Sequence, residues 1–186
     1  MVSISLIFWI FVMLFALIGA MRGWAQEMLV AFSVILALFI ITVLGLVPFV
    51  RDIVNTGFVD DAGVPIAIDT TTFWIRVALL MFFVFFGYQT PRINNDKIRS
   101  ATSRSERLQD TLLGIIVGGF NGYLIIGTLW FFLIQANYFI AQISPPLATD
   151  EMATRIIAVL PPMLLRGNII YFAIAIAFAF VVIVFI

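Results

Sequence analysis

Five long apolar stretches alternate with polar ones along the chain: Ile4–Met21, Met28–Val50, Thr72–Tyr88, Thr111–Ile140 and Asn168–Ile186. Each is almost free of charge, and about 20 apolar helical residues cover a hydrocarbon core of about 30 Å. The pattern therefore predicts an all-α, polytopic transmembrane helix bundle forming a single domain over residues 1–186. No basic residue precedes the first stretch, so it reads as a retained span rather than a signal peptide. The third is rich in Phe and carries Arg76 about one turn inside its first end, placed to snorkel to the interface. The fourth would rise about 45 Å if wholly helical, so it must tilt, kink or protrude. Ser103 and Glu106 fit a capping box, which would start that helix before the membrane does. The fifth is apolar to Ile186, which raises the expectation of a further C-terminal tail.

Between the last two stretches the period changes. Asp150 can cap a short helix in which Met152, Ala153, Ile156, Ile157 and Leu160 share a face, with Glu151 and Arg155 opposite. Pro161-Pro162 stops it. Too short to span, it is expected to lie as an interfacial amphipathic helix.

Composition strengthens the membrane reading: 63% of residues are hydrophobic, only 11% are charged, and mean hydropathy is +1.18. A soluble domain carries about 25% charged residues. The formal net charge is zero, so nothing points to nucleic acid. There is no Cys and no His, which removes disulfides, thiolate and imidazole metal sites and Cys- or His-based nucleophiles. No cofactor is expected, and no carboxylate pair or nucleophile–base constellation in the spans marks an enzyme. Charge distribution sets an orientation. Arg22 and the loop Pro91–Asp110, with Arg92, Lys97, Arg99, Arg104 and Arg107, carry most of the positive charge. The other side holds Arg51, Arg155 and Arg166 with most of the acidic residues. The positive-inside rule then puts the N-terminus outside and loop 91–110 in the cytoplasm. Trp24 and Tyr88 fall at the inner interface, and Trp74, Tyr138 and Tyr171 at the outer one.

Three features could carry function. Arg22-Gly23-Trp24-Ala25-Gln26-Glu27 is a turn too short to be a loop. Gly23 as a helix cap, with Arg22 at one helix C-terminus and Glu27 at the next N-terminus, explains both signs of charge. A fixed Arg–Glu pair that gates or docks something is the functional alternative. In the fourth stretch Gly114, Gly118 and Gly122 lie along one stripe, as in small-xxx-small helix packing. Packing within the bundle, or contact with other membrane subunits or a second copy, would use it. Asn121 sits inside this stripe, expected to hydrogen-bond a neighbouring helix, with no charge deep enough to partner it in a proton relay. An echo between Leu17–Trp24 and Ile116–Tyr123, sharing G-x-x-[Arg/Asn]-G-aromatic, hints at an inverted repeat, though glycine-rich apolar stretches match easily by chance.

The turn Arg22-Gly23-x-x-x-Glu27 resembles the colicin V production protein (CvpA) family, which has R-G-x-x-x-E after its first span. Asp110-x-x-Leu113-Gly114 followed by Gly118-x-x-Asn121-Gly122 resembles that family's D-R-x-L-G…G-x-x-R-G signature. The order matches over roughly residues 1–165, with the basic loop between the motifs. Thr111 and Asn121 stand where the family has Arg, and the fifth span is an addition to its usual four. The resemblance implies a bacterial inner-membrane accessory protein linked to toxin export or envelope maintenance, without catalytic chemistry. A cofactor-free subunit of a larger respiratory or photosynthetic assembly, and a small transporter or channel, are the alternative expectations. The lipid bilayer is a partner in every case.

Overall fold

The computed structural model describes residues 4–45, 47, 50, 57–60, 62–89, 104–147 and 149–185. Among them the chain is all-α: α1 Ile4–Arg22, α2 Trp24–Leu44, α3 Thr70–Tyr88, α4 Arg104–Gln135, α5 Glu151–Ala158, α6 Pro161–Leu164 and α7 Ile169–Phe185. Four helices are long and apolar enough to cross a membrane: α1, α2, α3 and the Ser105–Gln135 part of α4. The predicted fifth span is helical as α7, but its 17 residues rise only about 25 Å. Ser103 and most of loop 91–110 lie outside the described residues.

Helix ends explain where the observed spans depart from the apolar runs. α2 starts four residues earlier than Met28, because one residue, Gly23, separates it from α1. Gly23 has φ +88°, a conformation that costs other residues heavily and glycine little. α3 begins at Thr70 because Asp69 caps it, its carboxylate accepting from the backbone N–H of Thr71 and Thr72 and from the Thr72 hydroxyl. α4 begins before the apolar run and ends at Gln135, short of Ile140. Asn137 and Tyr138 turn to positive φ, and the Tyr138 N–H reaches back to the Leu133 carbonyl at 3.0 Å. That is a Schellman-type closure, which asparagine tolerates better than most side chains.

α1 and α4 form the most extensive pairing, antiparallel and backbone to backbone. A β-carbon on Gly19 would come 2.8 Å from Gly118 Cα, and one on Gly122 would come 2.9 Å from Val12 Cα. Only glycine permits that approach, which supplies the van der Waals contact that replaces hydrophobic drive inside a membrane. The stripe Gly114–Gly118–Gly122 is thus filled by α1 of the same chain. Of the uses the sequence pattern allows, this is packing within the bundle.

α2 is the central helix, with Val30, Val34, Ala37, Leu38 and Ile41 buried between α3, α4 and α7. α7 runs antiparallel to α2, with Tyr171 against Phe39 and Phe180 against Trp24. The outer faces stay apolar and exposed, as at Met13, Leu17 and Ile116, in keeping with a hydrocarbon surround.

α5 forms under its expected cap, Asp150 accepting from the Ala153 N–H at 3.0 Å. Its inner face is Ala153, Ile156 and the following Leu160, whereas Met152 is exposed rather than on that face. The Tyr123 hydroxyl donates to the Val159 carbonyl, and Pro161 packs in the space left by Gly127. α5 and α6 therefore dock on α1 and α4, and Pro161 starts a further turn where the sequence pattern shows only a stop. At the same end, residues 57–60 and 62–69 fold over the bundle as a small hairpin held by the Val59–Pro65 bridge.

Candidate functional site

The α1–α2 turn sits beneath the first turns of α4. Lacking a side chain, Gly23 cannot cap α2, and Asp110 does so from α4: its Oδ1 accepts from the Trp24 N–H at 3.3 Å. A carboxylate there complements the positive end of the α2 dipole. A β-carbon on Gly23 would lie 2.8 Å from both Asp110 oxygens, so glycine is needed for space as well as for φ.

One turn into α2, Glu27 is fully buried. Arg22 Nη1 donates to Glu27 Oε1 at 2.7 Å, and Arg22 Nη2 donates to the Tyr88 carbonyl at 3.3 Å. The guanidinium carbon stands 4.4 Å from the centre of the Tyr88 ring. From α4, Asn121 Nδ2 donates to Glu27 Oε2 at 2.7 Å and to the Glu27 carbonyl at 2.8 Å. An ion pair taken from water is retained only when its geometry is good and its remaining hydrogen-bonding capacity is met. Here both carboxylate oxygens are met, by two different helices, and four helices converge on one charge pair.

The motif positions Arg22, Gly23, Glu27, Asp110, Gly114, Gly118, Asn121 and Gly122 thus fall at the α1–α2 turn and along the α1–α4 seam that runs from it to mid-bundle. Leu113 does not: it is 46% exposed and faces outward. Asn121 does bond a neighbouring helix, as expected. The expectation that no charge reaches it is overturned, since Glu27 does. Glu27 is four residues past the turn, yet α4 continues beyond the turn and covers it. Tyr88 is a member that the sequence pattern places only in an aromatic belt. Nothing in the local sequence signals its ring over Arg22.

The opposite end holds a second polar cluster. Arg76 is fully buried instead of snorkelling, because Gly57 and Phe58 close over it, the Gly57 carbonyl accepting from its Nη2 at 3.3 Å. Its Nη1 donates to Gln135 Oε1 at 2.6 Å, and its guanidinium lies near the Phe58 and Phe132 rings, at 5.4 and 5.7 Å. Gln135 Nε2 donates to the Phe58 and Ile66 carbonyls at 2.9 Å each, tying the hairpin to the end of α4. The two aromatic groups also separate as the sequence pattern has them. Trp24 and Tyr88 lie at the Arg22 end, and Trp74, beside Phe139, lies at the other.

Among the described residues no group of three or more His, Cys, Asp or Glu side chains could hold a metal. The arrangement pins helices together through a desolvated ion pair; it presents no nucleophile with a base. Fold and cluster define an all-α membrane-spanning bundle with a charged clamp buried at one end. No known family model matches the chain, and no curated protein or solved structure matches it either.

Proposed function

We propose that this chain is a non-catalytic accessory protein of a bacterial inner membrane, similar to the CvpA family and serving export or envelope maintenance. The observation that carries this reading is the convergence of two motifs separated by more than eighty residues, Arg22–Glu27 and Asp110–Gly122, on one turn: Asp110 caps it at the surface and Asn121 holds its buried Glu27. A shared constellation of that kind gives the ordered motifs a common physical purpose, which chance matches would lack. The substitution of Asn121 for the family's Arg fits the same geometry: the amide supplies a second donor to the Glu27 carboxylate. In this reading the N-terminus is outside, and the basic loop 91–110 with the Arg22 clamp is on the cytoplasmic side.

Purification from its native membrane in mild detergent, followed by native mass measurement, tests the reading. A monomer or homo-oligomer is expected. A stable stoichiometric complex with respiratory or photosynthetic subunits would replace it with the structural-subunit alternative.

A further inference from the structure

The inner face of α4 carries a polar residue every two turns. Asn121, Thr128 and Gln135 follow one another at seven-residue spacing, about 10 Å apart along the axis. All three are buried to within 2% of full enclosure. The stripe starts at the Arg22–Glu27 clamp, where Asn121 is bound, and ends at the Arg76 cluster, where Gln135 is bound.

The hydrogen bonding along it is incomplete. Asn121 directs Nδ2 to Glu27, while its Oδ1 has no protein partner. The Thr128 hydroxyl also has none, although a buried helical threonine can bond the carbonyl one turn back. The Tyr88 hydroxyl, in the clamp, is a third such group. In an apolar interior each unmet group costs about 1–3 kcal/mol, and a hydrocarbon surround offers no partner from outside. Asn121 Oδ1 and the Thr128 and Tyr88 hydroxyls, on or beside a single stripe, mark places for a hydrogen-bonding guest.

The chemistry of the guest follows from the lining. Side-chain amide, hydroxyl and phenol groups suit a small neutral molecule that both donates and accepts. An arginine at each end disfavours a mobile cation, as in pores that exclude cations electrostatically. At the Arg22 end the buried carboxylate of Glu27 disfavours an anion as well. Water meets every condition, and buried water usually satisfies groups of this kind.

We infer that the inner stripe of α4 holds bound water at two places, at Asn121 and at Thr128, between the Arg22–Glu27 and Arg76–Gln135 clusters. The bundle then holds water at two points of its apolar interior. The inference rests on burial and hydrogen bonding alone and stands independently of the accessory reading.

Water-edited solid-state NMR on the full chain in lipid bilayers tests it directly. Magnetisation from water should reach the Asn121 and Thr128 side chains several times faster than Leu38 and Leu80, which are equally buried but apolar. Build-up at the same slow rate as those leucines would overturn the inference. Thr128→Val gives a second, thermodynamic answer. In a dry site the substitution removes an unmet hydroxyl, and the unfolding midpoint rises, which also overturns the inference. In a hydrated site it strips a bound water of its partner, so the midpoint falls, while Thr128→Ser keeps the water signal. If the valine variant does not fold, the wild-type NMR comparison decides.

Discussion

Glu27 shows how burial changes the meaning of a residue. Near a helix N-terminus it reads as a surface carboxylate favoured by the dipole; in the folded chain it is a fully buried charge held by Arg22 and Asn121. Hydrogen bonds to charged groups contribute about 1.5–3 kcal/mol, so Asn121→Leu should destabilise the bundle by that order. The denaturation midpoint in detergent measures it. Glu27→Ala should cost less when made with Arg22→Ala than the two single changes summed, and a double-mutant cycle gives the coupling. At the other end, Asp69 titrates below its ordinary value of 3.8, chiefly because the Thr72 hydroxyl bonds its carboxylate. Its folded value is lower than its unfolded one. The cap therefore stabilises α3 fully above the ordinary value and is lost as pH falls through the folded one. Amide exchange at Thr71 and Thr72 should accelerate in acid below that value, and Asp69→Asn should remove the acid dependence.

At the scale of elements, the α1–α4 contact separates two kinds of glycine on the same helix. Gly118→Ala must push α1 away, because its β-carbon would meet Gly19 Cα at 2.8 Å. Overpacking of this type costs about 1–3 kcal/mol. Gly119→Ala meets only the Ala16 β-carbon, at 3.6 Å, an ordinary contact, and should leave stability unchanged or slightly raised. Thermal midpoints of the two variants, side by side, check the pair. The helices and the glycine stripe were legible in the sequence because hydropathy and a four-residue period are local. The stripe's occupant was not, since only the fold decides which helix lies on it. Arg76 was misplaced for a related reason. Snorkelling assumes an open path to the interface, and the hairpin carrying Phe58 and Ile66, held by Gln135 from far along the chain, closes that path. The repeat of Asn121, Thr128 and Gln135 is visible in the sequence once the helix boundaries are known.

For the whole molecule, the two ends differ in construction. One has a minimal turn and an ion pair; the other has a hairpin, two short helices and a capped α3. The proposed orientation puts the first end in the cytoplasm. The chain contains no cysteine, so single cysteines report without background. A cysteine introduced at Ser100 should resist a membrane-impermeant thiol reagent in intact cells and react after lysis, whereas one at Thr149 should react in both. The reverse pattern would invert the topology.

The single residue between α1 and α2 has a mechanical consequence. A turn without slack transmits rotation: inserting one residue after Gly23 would turn α2 about 100° relative to α1. Glu27 would swing away from Asn121 while α1 stayed locked to α4 by its backbone. Turn length is thus a phase setting for the clamp, as much a specification of the site as the identities of its side chains.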